Sequence, residues 1–228
     1  MTLHDTLDSL DRLIQSRSIL EHPFYVAWRR GELSRDQLAT YARVYYPHVA
    51  AFPGYLRAAL DVASAPIVRD ELARNLADEL SNPKPHPELW LDFAEDLGLD
   101  RAAVAGAEPR PAARRIVATF DRLARGESAG ALAALYAYEA QQPEVASQKA
   151  DGLRRYYGVE RAEALAYFEV HAVADREHRR GERRALEHAL AGGTVSPDVV
   201  PEAAGEALDA YWGLLDGVCQ DAAIPVMA

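Results

Sequence analysis

Sulfur and lysine are scarce in this chain of 228 residues, and each shortage narrows what it can be. Its single cysteine, Cys219, has no partner for an internal disulfide, so a cross-linked core is excluded and a reducing compartment suits it. No apolar run reaches the roughly eighteen residues that a membrane span needs. Positive charge is also short: 25 Lys and Arg face 35 Asp and Glu, a net charge of −10. That balance argues against a nucleic-acid binder, which needs a basic face to displace counterions from phosphates. The first residues carry Asp5, Asp8 and Asp11 where an export signal needs basic residues and then an apolar core, so a cytoplasmic protein is expected. Apolar residues make up 49% with no dominant polar tract, enough for a buried core.

What is present reads as helix from end to end. Leu3, Leu7, Leu10 and Ile14 recur at helical spacing. Ser34 and Gln37 form a capping-box pattern that opens a helix running toward Ala63, which Pro47 and Pro53 should kink or split. Ser64 before Pro66 predicts a cap and a first-turn proline for a helix through Leu72, Leu76 and Leu80. It should stop near Ser81, where SNPKPHP begins. A short helix over PELWLDFAEDLG ends at Gly98, and AEPRPAA reads as a loop. Further helices are expected over 112–124, over 128–155 with a kink at Pro143, over 160–190, and from Pro201 to about Gln220 after the GGTVSP break. With no alternating strand pattern and no repeat, the expectation is an all-α single domain, 1–228, of about seven to nine helices.

The segment HAVADREHRR is the most informative. His171, Asp175 and His178 stand at i, i+4 and i+7, so one narrow helical stripe aims two imidazoles and a carboxylate at one place. Arg176, Glu177, Arg179 and Arg180 lie off that stripe, and Ala172, Val173 and Ala174 flank it with apolar bulk. Such a group is costly to bury without a partner or a cation, so it reads either as half of a metal site or as a charged face. Tyr167 lies on the same stripe, four residues upstream. Glu79 ends an otherwise apolar face, and His86 follows beyond the proline turn. Glu139 sits in the very apolar run ALAALYAYEAQQ. Each acid alone could pair with one of the many arginines.

Taken together, Glu79-x6-His86, then Glu139, then His171-x3-Asp175-x2-His178 resembles the ligand pattern of the heme-oxygenase-like dimetal oxidases, over roughly residues 15 to 190. The resemblance implies an all-α heme-oxygenase-like (TenA/PqqC-like) bundle. It also implies two metal ions, Fe/Fe or Mn/Fe, held by those six residues, with O2 as co-substrate and an external reductant. Three imidazoles and three carboxylates suit first-row metals cycling between +2 and +3. Two relatives on this fold fit less well. TenA-type thiaminases use a mid-chain cysteine, which this chain lacks, and PqqC-type oxidases lack the dimetal ligands. A heme oxygenase would need an axial histidine near the N-terminus, for which His22 is the candidate.

Within the dimetal oxidases, the chain is most similar to the para-aminobenzoate synthases related to the chlamydial protein associating with death domains. These are understood to consume themselves, a tyrosine becoming the product and a lysine giving its nitrogen. HPFYVAWRRG places Tyr25 at the sacrificed position, LATYARVYYPHV supplies Tyr41 as a second active-site tyrosine, and Lys149 follows Glu139 by ten residues as the amino donor. The lysine count bears on this. Only Lys84 and Lys149 are lysines among 25 basic residues, and arginine cannot deliver a primary amine. Lys84 reads as a surface charge; Lys149 could be one too, and Tyr25 could be core packing. Tyr41, Tyr45 and His48 share one stripe, with Tyr45 and His48 left without a role, and Tyr138 is expected to face away from the site. Tyr167 is a candidate cavity wall.

The expected function is therefore O2-dependent synthesis of para-aminobenzoate for folate, from Tyr25 and Lys149, in a single turnover. Two alternatives stay open. One is a catalytic dimetal oxidase of an external amino acid or fatty acid; the other is a non-enzymatic helical interaction module. A homodimer is allowed by the fold, and the segment after Gly192, with Tyr211, Trp212, Leu214 and Leu215, either caps the bundle or joins an interface.

Overall fold

The computed structural model describes residues 3–81, 83–192 and 198–225, and most of the break expected over GGTVSP lies outside them. Eleven α-helices run through the described residues, with no strand among them. They are α1 (Leu3–Ser16), α2 (Pro23–Arg30), α3 (Arg35–Val62), α4 (Pro66–Ser81), α5 (His86–Asp96) and α6 (Arg101–Ala105). Then come α7 (Pro111–Ala124), α8 (Ser128–Glu139), α9 (Gln142–Tyr156), α10 (Ala162–Ala191) and α11 (Val199–Asp221). Nine are longer than eight residues, which matches the expected count; α2 and α6 are short additions. No described helix is long and apolar enough to cross a membrane.

The local signals act largely as read. Ser34 accepts from the Gln37 amide while the Gln37 side chain accepts from the Ser34 amide, a closed capping box worth about 1 kcal/mol to α3. Pro66 opens α4, but the first helical carbonyl is that of Ala65, one residue beyond the expected Ser64 cap. Neither Pro47 nor Pro53 splits α3, which stays one helix of 28 residues. Pro143 does more than expected. Instead of kinking one helix over 128–155, it sits in the first turn of α9, where its missing N–H costs nothing, and the chain breaks at Ala140–Gln141. Glu139 thereby becomes the last residue of α8.

The core is continuous across the bundle. α10 packs on α9, α5, α8 and α4, while α3 lies against α7, α4 and α5. The C-terminal α11 closes the bundle against α8 and α7, burying Tyr211, Leu214 and Leu215. So the C-terminal segment caps the bundle from within the chain. Cys219 is buried in the same helix. His22 is already committed: its Nδ1 accepts from the Phe24 amide at 3.1 Å as the cap of α2, and its Nε2 meets Asp216 at 3.2 Å. That leaves no ring nitrogen for a heme.

Candidate metal centre

Two triads of buried ligands face each other between α4, α5, α8 and α10: Glu79, His86 and His171 in one, Glu139, Asp175 and His178 in the other. In each, the ligand atoms lie within 4.8 Å of one another, close enough to hold a metal ion. The six residues expected from the sequence are thus brought together, three from the single stripe of α10 and three from separate helices. The proline turn does bend His86 inward. Its Nδ1 lies 2.9 Å from Glu79 Oε1, and His171 Nε2 lies 3.5 Å from the same oxygen.

The surroundings fix which nitrogens can bind a metal. His171 Nδ1 lies 2.6 Å from the Tyr167 carbonyl, which can only accept, so Nδ1 carries the hydrogen and Nε2 is left for the site. His178 is set the opposite way. Its Nε2 donates to Asp78 at 2.9 Å, and Nδ1 faces Asp175 Oδ1 at 3.4 Å and Glu139 Oε2 at 3.7 Å. His178 Nδ1 and Asp175 Oδ2 are fully buried with no hydrogen-bond partner, which is what a pair of cation ligands looks like without the cation. The Asn75 amide donates to both Glu139 oxygens, at 2.9 and 3.0 Å, and holds that carboxylate in place.

Electrostatics tell the same story. Burial alone would raise the Glu79 carboxyl, but hydrogen bonds from His171 and His86 outweigh it and bring it down to about 2. Burial would lower His178, yet Asp175, Glu139 and Asp78 push it up to about 10. Burial and the nearby Glu182 carboxylate push Glu139 well above the ordinary range. Protons stand in here for positive charge, and metal loading would expel them.

Two side chains in this arrangement escaped the sequence reading. Asn75 and Asp78 belong to α4, whose buried stripe is Val68, Glu71, Leu72, Asn75 and Glu79. Leu80, counted as part of an apolar face, is 41% exposed. The polar residues at 71, 75 and 79 repeat every four, and that spacing was the available signal. On the apolar flank of α10, Val173 is likewise 68% exposed, while Ala172 packs against the core.

Against the triads lies a small cavity with room for about one water-sized molecule, walled by Val49, Phe52, Tyr138 and Tyr167. Tyr138 was expected to face away and does not. Neighbouring positions on a helix diverge by about 100°, but Glu139 is the last residue of α8 and both side chains reach the cavity. The Tyr138 hydroxyl meets that of Tyr45 at 2.9 Å, and beyond this bridge lies a second buried region.

That region gathers Tyr25, Tyr41, Tyr45, Tyr211 and Lys149, with Trp28, Trp90 and Phe168 packed around them. Lys149 is only 3% exposed, and its Nζ donates to the Tyr41 hydroxyl at 2.7 Å. It stands 4.9 Å from the Tyr25 ring centroid and 5.3 Å from those of Tyr41 and Tyr45. Among the described residues no carboxylate pairs with it, and burial drives its amine well below the usual lysine value. The Tyr25 hydroxyl meets Tyr211 at 3.4 Å, and Tyr211 also accepts from Gln142 at 3.3 Å. His48 lies among Tyr55, Phe120 and Tyr138, where burial pushes it down to about 3 and keeps it neutral. Lys84, by contrast, sits at the surface and pairs with Asp92.

Comparison with known proteins shows the family. A family model described as "Iron-containing redox enzyme" matches residues 39–212. The chain is 41% identical over 211 residues to a 4-aminobenzoate synthase of Chlamydia trachomatis, covering 92% of this chain and 90% of that one. It is 38% identical over 219 residues to a 4-aminobenzoate synthase of Nitrosomonas europaea, covering 92% and 89%. Among solved structures, a TenA homologue from Pseudomonas syringae superposes with a TM-score of 0.80 at 19% identity, covering 96% of this chain and 93% of that one, which speaks for the fold alone.

Proposed function

Since the chain belongs to the family of iron-containing redox enzymes, we propose that it makes 4-aminobenzoate, the para-aminobenzoate needed for folate, out of its own Tyr25 with nitrogen from Lys149. The observation that carries this reading is the position of Lys149: a buried amine, pushed by burial well below the usual lysine value, 4.9 Å from the Tyr25 ring and one tyrosine hydrogen bond away from the cavity at the metal triads. Glu79, His86, His171, Glu139, Asp175 and His178 would hold the two ions, and their mixed imidazole and carboxylate donors suit Fe/Fe or Mn/Fe. When bound, those ions would supply the oxidising power by reducing O2, with electrons drawn from an external reductant.

The chain's own residues account for the rest. Tyr25 and Tyr41 stay protonated, because burial raises both hydroxyls far above neutrality, so each can give up a hydrogen atom without first losing a proton to water. Tyr41 holds Lys149 Nζ in place, and burial, which loosens the amine's proton, favours the free lone pair that bond formation needs. To end as 4-aminobenzoate, the Tyr25 ring would exchange its phenol oxygen for Lys149 Nζ, with the Lys149 Cε–Nζ bond broken. The Tyr25 Cα–Cβ bond would break with Cβ oxidised to the carboxylate at the expense of O2, which leaves the protein spent. The packed aromatic walls exclude water from a reaction that hydroxide or solvent would divert.

Size also favours the protein's own side chain as substrate. Among the described residues, the space beside the triads admits about one water-sized molecule, enough for O2 but not for a fatty acid or a free amino acid. The test is anaerobic reconstitution with iron, or manganese plus iron, followed by O2 and mass spectrometry of intact protein and released small molecules. Release of 4-aminobenzoate without added substrate, at no more than one per chain and absent in Tyr25→Phe and Lys149→Arg, is the expected result. O2 consumption with no aromatic amine would instead make the protein an oxidase of an external substrate.

A further inference from the structure

One turn beyond the metal triads, the same two helices bring a further set of oxygen ligands together. α4 carries Glu71 and Asn75, eight and four residues before Glu79, and α10 carries Glu182, four residues after His178. All three are buried, Glu71 at 4% and the other two at 0% exposure. Asn75 joins this set to the inner site: while its Nδ2 holds Glu139, it also reaches Glu182 Oε1 at 3.5 Å. On the outer side, Glu71 Oε2 takes a guanidinium hydrogen bond from Arg74 at 2.6 Å, and the Arg74 side chain is 58% exposed. The cluster thus lies between solvent and Glu139.

Gly181 makes the arrangement possible. A Cβ at that position would lie 1.9 Å from both the carboxyl carbon and Oε1 of Glu71. Glu71 can lay its carboxylate against α10 only because residue 181 has no side chain.

Three atoms of this cluster, Glu71 Oε1, Asn75 Oδ1 and Glu182 Oε2, are fully buried and have no hydrogen-bond partner. With both acids ionised all three only accept, and a proton on Glu182, which burial and the neighbouring Glu71 push well above the ordinary carboxyl range, would satisfy at most one of them. Arg74 offsets Glu71, and among the described residues no basic side chain pairs with Glu182. Two carboxylates and an amide oxygen are the hard donors that Mn2+, Mg2+ and Ca2+ prefer, and a divalent ion would satisfy both the charge and the lone pairs. We propose that Glu71, Asn75 and Glu182 form an outer divalent-cation site through which metal passes to the Glu139–Asp175–His178 triad. The passage rests on the dimetal reading above; the binding does not.

The test counts Mn2+ bound to the chelator-stripped, full-length chain without O2, by the electron paramagnetic resonance signal of the free ion. The expected result is three ions per chain, one weaker than the other two. Glu182→Gln and Gly181→Ala should each lose that weaker ion and keep the inner pair. Gly181→Ala retains both carboxylates and only pushes aside the flexible end of Glu71, so it separates geometry from charge, and circular dichroism checks its fold. A wild-type count of two, or a third ion that survives in both variants, overturns the proposal. A single ion lost in Glu182→Gln but kept in Asp175→Asn would support the outer site and sink the dimetal reading instead.

Discussion

The two buried regions on either side of the Tyr45–Tyr138 hydrogen bond are built on opposite electrostatic plans. At the triads, every histidine has a carboxylate beside it, and two of the three rings are oriented by an acceptor, the Tyr167 carbonyl for His171 and Asp78 for His178. In the tyrosine pocket the one amine, Lys149, pairs with no acid among the described residues and is held by a phenol. Charge is concentrated where a metal ion can compensate it, and the amine of Lys149 is buried where burial alone acts on its proton, as its proposed role requires. The difference teaches that both regions bury ionisable groups at a cost in stability, a pattern that concentrates at functional sites.

The comparison can be broken first at the metal side. Asp175→Ala should abolish metal binding at the Glu139 triad, read as one ion fewer per chain by elemental analysis, while the tyrosine pocket and the fold persist. Asp78→Ala removes only the acceptor that orients His178, so it should weaken metal affinity by roughly 10–100-fold in a Mn2+ titration. An unchanged affinity would mean that the tautomer of His178 is set elsewhere.

On the other side, Lys149→Met should raise stability by about 1–2 kcal/mol at pH 7, because it removes a buried amine of low pKa, and should abolish 4-aminobenzoate release. The sign follows from linkage. With the folded pKa below the unfolded 10.5, the unfolded chain binds the proton more tightly, so wild-type stability rises with pH toward 10.5. The advantage of methionine should therefore shrink between pH 7 and pH 10 in denaturant melts; a constant advantage would show that packing rather than charge is responsible. The smallest effect belongs to the bridge. Tyr138→Phe should cost about 1 kcal/mol by leaving the Tyr45 hydroxyl without its partner, lower product yield, and leave the metal count untouched.

Much of this was legible along the chain. The capping box at Ser34, the stripe of His171, Asp175 and His178, and the isolated acids at 79 and 139 all depend on residues a few positions apart. The misreadings share a cause. Leu80 was counted into an apolar face and Val173 into an apolar flank of the ligand stripe, yet both lie at the surface, where apolar residues are common. Pro143 was read as a kink because the helix was assumed to continue, whereas the first turn of a new helix accommodates proline without loss. Tyr138 was sent to the wrong face because the ideal helical angle was applied at a helix end.

The sequence by itself determined the all-helical architecture, the ligand stripe of α10 and the rarity that marked Lys149, since helical periodicity and composition are properties of near neighbours and of counts. Only the tertiary structure decided that Asp78 would orient His178, that Asn75 would hold Glu139, that Tyr211 would reach Tyr25, and that Gly181 would admit Glu71 to α10. Those contacts join residues 64 to 186 positions apart and face one helix against another. They depend on how the turns bend and how the side chains of whole helices interlock, and no local period encodes that.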